Sequence, residues 1–267
     1  MIYRYLGKTK EKLSSIGIGT WKLGANPEKE IQAIRRGLSL GINLIDTAEM
    51  YNTEALVGEA ARGSGAFIAT KVSPDHFSRE KVIKSCSASL EKLGVKCIDL
   101  YQLHWPNPRV PIGETMSALE QLVKDGKIRY IGVSNFSIEE LRAAQAALKE
   151  NAIVSNQVEY SMLVRSAEEG MLEYCRKEGI SIIAYSPLAR GAIAKNKELT
   201  NLLAGIGSRL NLNPIQVALA WTIRHDNVIA IPKAADIKHI EENAASGSIS
   251  LGRKDIESIN RFLGSTV

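Results

Sequence analysis

Cysteine is scarce in this chain of 267 residues: three in all, Cys86, Cys97 and Cys175. The number is odd and no two form a CxxC pair, so neither a disulfide framework nor a zinc ribbon is available. With no secretory signal at Met1-Ile2-Tyr3-Arg4, a reduced, cytoplasmic protein is expected. Long apolar runs are missing too. The longest uncharged stretch, Leu210 to Ile223, falls short of the ~18 residues a membrane span needs, and Asn and Gln interrupt it. There is no run of five like charges. The formal net charge is +5, but basic residues alternate with acidic ones, as in Lys10-Glu11-Lys12 and Arg79-Glu80-Lys81, which describes a solvated surface rather than a nucleic-acid face. Metal-site patterns such as HxH, HExxH and DxD do not occur, and His76, His225 and His239 stand apart from one another. What remains is an ordinary globular composition, 45% hydrophobic and 24% charged, in a chain long enough to fold without disulfide or metal support.

The chain has a rhythm. Short β-branched runs at Ile16–Trp21, Asn43–Thr47, Phe67–Lys71, Ile98–His104, Tyr130–Asn135, Val154–Glu159, Ser181–Ser186 and Val228–Pro232 alternate with segments of helical period. Their apolar residues are consecutive, as in parallel strands covered on both faces. Helical stripes run through Glu28–Leu38 and Arg79–Leu93, and Ser137 with Glu140 forms a capping box for Ser137–Leu148. Gly41, Gly94, Gly126 and Gly179 stand where helices end in left-handed backbone.

Eight β-then-α units admit an open doubly wound sheet or a closed (β/α)8 barrel. The open fold needs G-x-G-x-x-G after its first strand, whereas Gly17-Ile18-Gly19-Thr20-Trp21-Lys22 lacks the third glycine. A (β/α)8 TIM barrel spanning 1–267 as one domain is therefore expected. Tyr3–Leu6 and Lys12–Ser14 form a β-hairpin closing its floor, Asn213-Pro214 opens an extra helix, and Arg253–Leu263 makes a terminal one.

Active sites of such barrels sit at the carboxyl ends of the strands. Asp46 ends the second strand with Tyr51 in the following loop, Lys71 ends the third, and His104 ends the fourth. Singly, each has an ordinary explanation: a solvated lysine, a packed tyrosine, a hydrogen-bonded histidine, a capping aspartate. Together they occupy one sector of one rim. The chemistry such a set supports is proton transfer at a carbonyl: a buried ammonium would lower the Tyr51 pKa, Asp46 would orient Lys71, and a neutral His104 would steer the substrate oxygen. Gly132-Val133-Ser134-Asn135-Phe136 lacks the second glycine of a hydrolase nucleophile elbow. The uncharged Asn135 and Gln157 suit an amide ligand, and Tyr185 a flat ring.

Gly17-Ile18-Gly19-Thr20-Trp21, Leu44-Ile45-Asp46-Thr47-Ala48-Glu49-Met50-Tyr51, Asp99-Leu100-Tyr101-Gln102-Leu103-His104-Trp105-Pro106, Gly132-Val133-Ser134-Asn135-Phe136 and Ile231-Pro232-Lys233 together resemble the aldo-keto reductases, in family order over nearly the whole chain. The resemblance implies an NADP(H)-dependent oxidoreductase that passes hydride from nicotinamide C4 to an aldehyde or ketone. Asp46, Tyr51, Lys71 and His104 match the catalytic tetrad, with Tyr51 as general acid. Ser134, Asn135 and Gln157 match the carboxamide contacts, and Tyr185 the ring stacked on nicotinamide. Ser186 and Leu188 match the pyrophosphate segment, Lys233 the 2′-phosphate lysine, Glu242 and Asn243 the adenine contacts. Gly19, Thr20 and Trp21 match the turn touching cofactor and substrate.

Two departures stand out. Ala234 and His239 occupy positions where the family pattern has Ser and Arg, which replaces a fixed cation by a titratable ring and opens the way to NAD(H) as well. The loop Trp105–Gly113 and the tail Gly264–Val267 are short, so an open pocket of Trp21, Tyr51 and Trp105 is expected, taking small aldehydes, α-dicarbonyls or sugar-derived carbonyls. The expected partner is a small-molecule carbonyl substrate, with no nucleic acid or membrane, and the expected state is a monomer. The alternative is an NADP(H)-binding redox-sensing regulatory subunit with little turnover; such subunits carry extra N-terminal segments, whereas this chain starts almost at its hairpin. A metal-dependent barrel hydrolase lacks its ligands.

Overall fold

The computed structural model describes residues 1–264; of the expected short tail, residues 265–267 lie outside the described residues. β1 (Tyr3–Tyr5) and β2 (Lys12–Ser14) form an antiparallel hairpin. Eight parallel strands follow: β3 (Ile18–Gly19), β4 (Leu44–Asp46), β5 (Phe67–Val72), β6 (Ile98–Leu103), β7 (Ile128–Ser134), β8 (Ile153–Glu159), β9 (Ser181–Tyr185) and β10 (Val228–Ala230). They pair in sequence order, and the parallel bridges Ile16–Ala230 and Gly19–Lys233 bring the first back to the last. Both backbones must approach closely there. A Cβ at Gly19 would stand 2.6 Å from the Ile231 carbonyl oxygen, so the glycines that failed as a dinucleotide motif serve to close the barrel.

The outer helices are α1 (Pro27–Ser39), α2 (Glu54–Ala61), α3 (Arg79–Leu93), α4 (Ile112–Lys124), α5 (Ile138–Ala147), α6 (Met171–Glu178), α7 (Ala192–Lys195), α8 (Lys197–Leu210), α9 (Pro214–Thr222), α10 (Ile237–Ser246) and α11 (Arg253–Phe262). Their ends follow local chemistry. The Ser137–Glu140 capping box opens α5, and the four glycines expected to end helices have φ between 65° and 92°. One expectation needs correction. The helix opened by Asn213-Pro214 is not the extra one: α9 packs on β10 and α10 as a member of the ring, while α8, which touches α9 and α11, is the insertion.

Strand alternation sorts the core into two layers. Ile45, Ile68, Tyr101, Val133, Ile182 and Val228 face outward and pack with helical residues such as Ile34, Val82 and Leu119. Leu44, Phe67, Leu100, Val154, Ile183 and Ile229 fill the barrel's interior together with Leu6 and Leu13 from the hairpin. Both hairpin leucines are fully buried, each worth roughly 1.5–3 kcal/mol. The hairpin thus seals the floor as expected, and Arg4 secures it by donating to the carbonyls of Ile223 and Val228. Among the described residues no helix is long and apolar enough to cross a membrane.

Candidate active site

The inward-facing positions that are apolar at the floor become polar two residues on, at the mouth. Leu44 gives way to Asp46, Ala69 to Lys71, Leu100 to Gln102, Gly132 to Ser134, and Ile183 to Tyr185. The strand period alone therefore gathers these side chains at one end. They line or underlie a cleft of about 660 Å³ that also includes Gly19, Thr20, Trp21, Tyr51, His104, Trp105, Asn135, Gln157, Ser186, Leu188 and Lys233.

Below the cleft, Lys71 is fully buried, its Nζ 2.6 Å from Asp46 Oδ1 and 2.8 Å from the Thr47 carbonyl oxygen. Asp46 Oδ2 accepts from Gln157 Nε2 at 2.8 Å and Gln102 Nε2 at 3.3 Å. Burial pulls the Lys71 pKa down, and the Asp46 carboxylate opposes it. Tyr51 comes from a 3-10 turn, Glu49–Tyr51, after β4. Its hydroxyl is 3.3 Å from His104 Nε2, the two rings meet edge to face, and Lys71 Nζ lies 5.0 Å from the Tyr51 ring centroid. Burial first, then the Lys71 charge, pushes the His104 pKa down to about 3, so the imidazole is neutral as expected. The expectation for Tyr51 is corrected in sign. Burial, then the charges of Asp46 and Tyr185, raise its pKa, because the ammonium is already paired with a carboxylate and the phenol sees little net positive charge.

The amide-bearing residues meet beside this cluster. Asn135, in left-handed backbone at φ 61°, donates to the His104 carbonyl at 3.1 Å and to Ser134 Oγ at 3.0 Å, and accepts from the Tyr185 hydroxyl at 3.0 Å. Ser134 donates to the Gln157 carbonyl at 2.9 Å. Trp21, Met50 and Trp105 are exposed at the rim, giving an open, largely apolar entrance. Along the rest of the cleft stand the cations Lys22, Arg190 and Lys233; Asp46, already paired, is the one acid lining it among the described residues. Amides and a hydroxyl at one end and cations beyond them suit a ligand with a carboxamide at one end and phosphates further along.

Three expected contacts lie elsewhere. His239, Glu242 and Asn243 belong to α10, outside the cleft lining; His239 is exposed with its Nδ1 2.9 Å from Asp236 Oδ2, and Asn243 is buried. Sequence reasoning missed Gln102, Lys22 and Arg190. Gln102 sits two residues before His104, on the same strand face, and that parity was the available signal. Among the described residues no group of three His, Cys, Asp or Glu side chains converges as a metal site.

Known proteins resemble this chain in sequence and in fold. Residues 15–263 match the profile of the Aldo/keto reductase family. A methylglyoxal reductase of Escherichia coli (strain K12) is 37% identical over 93% of this chain and 90% of its own length. A glyoxal reductase of Bacillus subtilis (strain 168) is 34% identical over 91% and 87%. The crystal structure of an aldo/keto reductase from Klebsiella pneumoniae in complex with NADP and acetate superposes with a TM-score of 0.90, at 34% identity, over 98% of this chain and 96% of that one.

Proposed function

Because this chain belongs to the aldo/keto reductase family, we propose that it reduces small α-oxoaldehydes such as methylglyoxal and glyoxal to hydroxycarbonyls at the Tyr51 cleft, with NADPH as reductant. It is an oxidoreductase dependent on a nicotinamide cofactor, and the donor set described above fits one. Ser134, Asn135 and Gln157 would hold the carboxamide, Tyr185 the nicotinamide ring, Gly19, Thr20 and Trp21 its near side, Ser186 and Leu188 the pyrophosphate, and Lys233 the 2′-phosphate. His239, Glu242 and Asn243 would meet the adenosine end. When bound, the cofactor supplies the hydride that adds to the carbonyl carbon.

The chain supplies the proton. Tyr51 donates its phenolic hydrogen to the carbonyl oxygen as the C=O π bond is replaced by C–H and O–H bonds. Its raised pKa keeps that hydrogen in place across the neutral range. Neutral His104, 3.3 Å from the phenol oxygen, holds the substrate oxygen beside the donor. Lys71 stabilises the phenolate left behind, and Asp46 fixes Lys71 with help from Gln102 and Gln157. The observation that carries this reading is the meeting of the Tyr51 hydroxyl, a neutral imidazole and a buried lysine–aspartate pair at the base of one cleft. The exposed Trp21, Met50 and Trp105 favour small, flat carbonyls.

Oxidation of NADPH by methylglyoxal, glyoxal and larger aldehydes tests the reading. Tyr51→Phe is expected to lose at least about a hundredfold in kcat, the usual reach of a general acid, with NADPH affinity retained. Wild-type turnover in that variant would sink it.

A further inference from the structure

The Tyr51 hydroxyl has a weak hold of its own, the 3.3 Å contact with His104. Its position depends on the backbone that carries it. Tyr51 closes a three-residue 3-10 turn, and the next residue, Asn52, is left-handed at φ 58°. Asparagine adopts this backbone more readily than most residues, so Asn52 permits the turn without fixing it. Two side chains, one at each end of the segment, tie it to the barrel.

At the far end, Thr53 occupies the N-cap of α2. Threonine there normally accepts a bond from the first helical turn, yet the Thr53 side chain makes none. Its hydroxyl instead lies 2.9 Å from Thr47 Oγ1 and 3.2 Å from Thr20 Oγ1, while Thr20 donates to the Asp46 carbonyl at 2.9 Å. All three threonines are buried. Each hydroxyl has one proton. With the Thr20 proton on Asp46, one order alone puts a proton in every contact: Thr47 donates to Thr53, Thr53 to Thr20, and Thr20 to Asp46. The chain starts at the residue whose carbonyl accepts Lys71 Nζ and ends at the residue whose carboxylate holds it. At the near end, Glu49 Oε1 accepts from the Ser73 amide and lies 2.9 Å from His76 Nδ1. That ties the turn to the loop just beyond Lys71.

We infer that Thr53 and Glu49 are positioning residues for carbonyl reduction, setting the Tyr51 hydroxyl against Lys71 and His104 through a buried chain of three threonine hydroxyls on one side and a carboxylate clamp on the other. The inference rests on Tyr51 being the proton donor. Neither side chain lines the cleft, so their loss moves turnover rather than binding.

Paired variants test this. Thr53→Val removes the hydroxyl at nearly constant shape, and Thr53→Ser keeps it; Glu49→Ala removes the acceptor, and Glu49→Gln keeps it. With methylglyoxal and NADPH, Thr53→Val and Glu49→Ala are expected to lower kcat at least about tenfold, because misplacing a reacting group by an ångström costs on the order of a hundredfold. NADPH affinity and the carbonyl KM should stay within about twofold of wild type, and Ser and Gln should restore kcat to within about threefold. Tyr51→Phe is measured alongside. If it is inactive while Thr53→Val and Glu49→Ala turn over normally, this inference falls alone. It falls equally if Ser and Gln fail as badly as Val and Ala, which would mark bulk packing. Full activity in Tyr51→Phe would remove the reading of the site and this inference with it. Should Thr53→Val not fold, the half-buried Glu49 pair decides by the same criteria.

Discussion

Removing the Lys71 ammonium while leaving the Asp46 carboxylate isolates what the buried pair does. At 2.6 Å and an effective dielectric of ~20, their attraction is about 6 kcal/mol. Taking the two ions out of water costs several kcal/mol each, so the intact pair is near break-even for stability. One-sided removal is different. Lys71→Met leaves a carboxylate with almost no exposure; Gln157 and Gln102 still serve Oδ2, but Oδ1 loses its donor. The expected cost is about 3–5 kcal/mol, a large share of the ~5–15 kcal/mol that holds a typical protein folded. With a urea slope of about 3 kcal/mol/M, that lowers the unfolding midpoint by about 1–1.7 M. The Asp46→Asn/Lys71→Met double variant removes both charges and should recover most of the loss, to within about 1–2 kcal/mol of wild type. Activity should not recover, because no ammonium remains beside the phenol. A Lys71→Met midpoint within about 0.3 M of wild type, or a double variant no more stable than the single one, refutes the argument.

Three further outcomes follow from the geometry. The His104 pKa is pushed down to about 3, below the ~6.5 of a free imidazole, so an unfolded chain takes up that proton first as pH falls. Its contribution is fully present above about pH 6.5 and is lost towards pH 3; urea melts across that range should be flatter for His104→Asn, with a residual slope from His225, whose pKa is lowered to about 4. Gly19→Ala places a methyl 2.6 Å from the Ile231 carbonyl oxygen at the barrel closure, and thermal unfolding should report a loss of about 1–3 kcal/mol. Lys233→Met should weaken NADPH binding about tenfold or more, the worth of a charged hydrogen bond, with NADH little changed.

The strands were legible because a parallel barrel buries both faces, leaving consecutive apolar residues such as Phe67-Ile68-Ala69 that few other structures demand. The gathering of Asp46, Lys71 and His104 at one end of the barrel was legible for the same reason: polar groups at the ends of such runs have no packing role. Boundaries were less clear where pairing is irregular. β3 is two residues long although its run extends from Ile16 to Trp21, because closure onto the last strand proceeds through isolated bridges. α7 and α8 escaped notice behind Ala189, Arg190 and Gly191, three left-handed residues in a row that local pattern does not foretell. The Tyr51 pKa was misjudged because the sequence shows neither how far the phenol is buried nor that the neighbouring lysine's charge is already answered by Asp46.

The floor hairpin joins the two extremes of the chain. Arg4 reaches Ile223 and Val228, and Ile16 bridges to Ala230. These Arg4 contacts span 219 and 224 positions of sequence, so they close a far longer loop than any pair of neighbouring strands. Non-local contacts are rewarded only after the loop between them has closed, so this seam, rather than any neighbouring strand pair, sets a topological cost on forming the barrel.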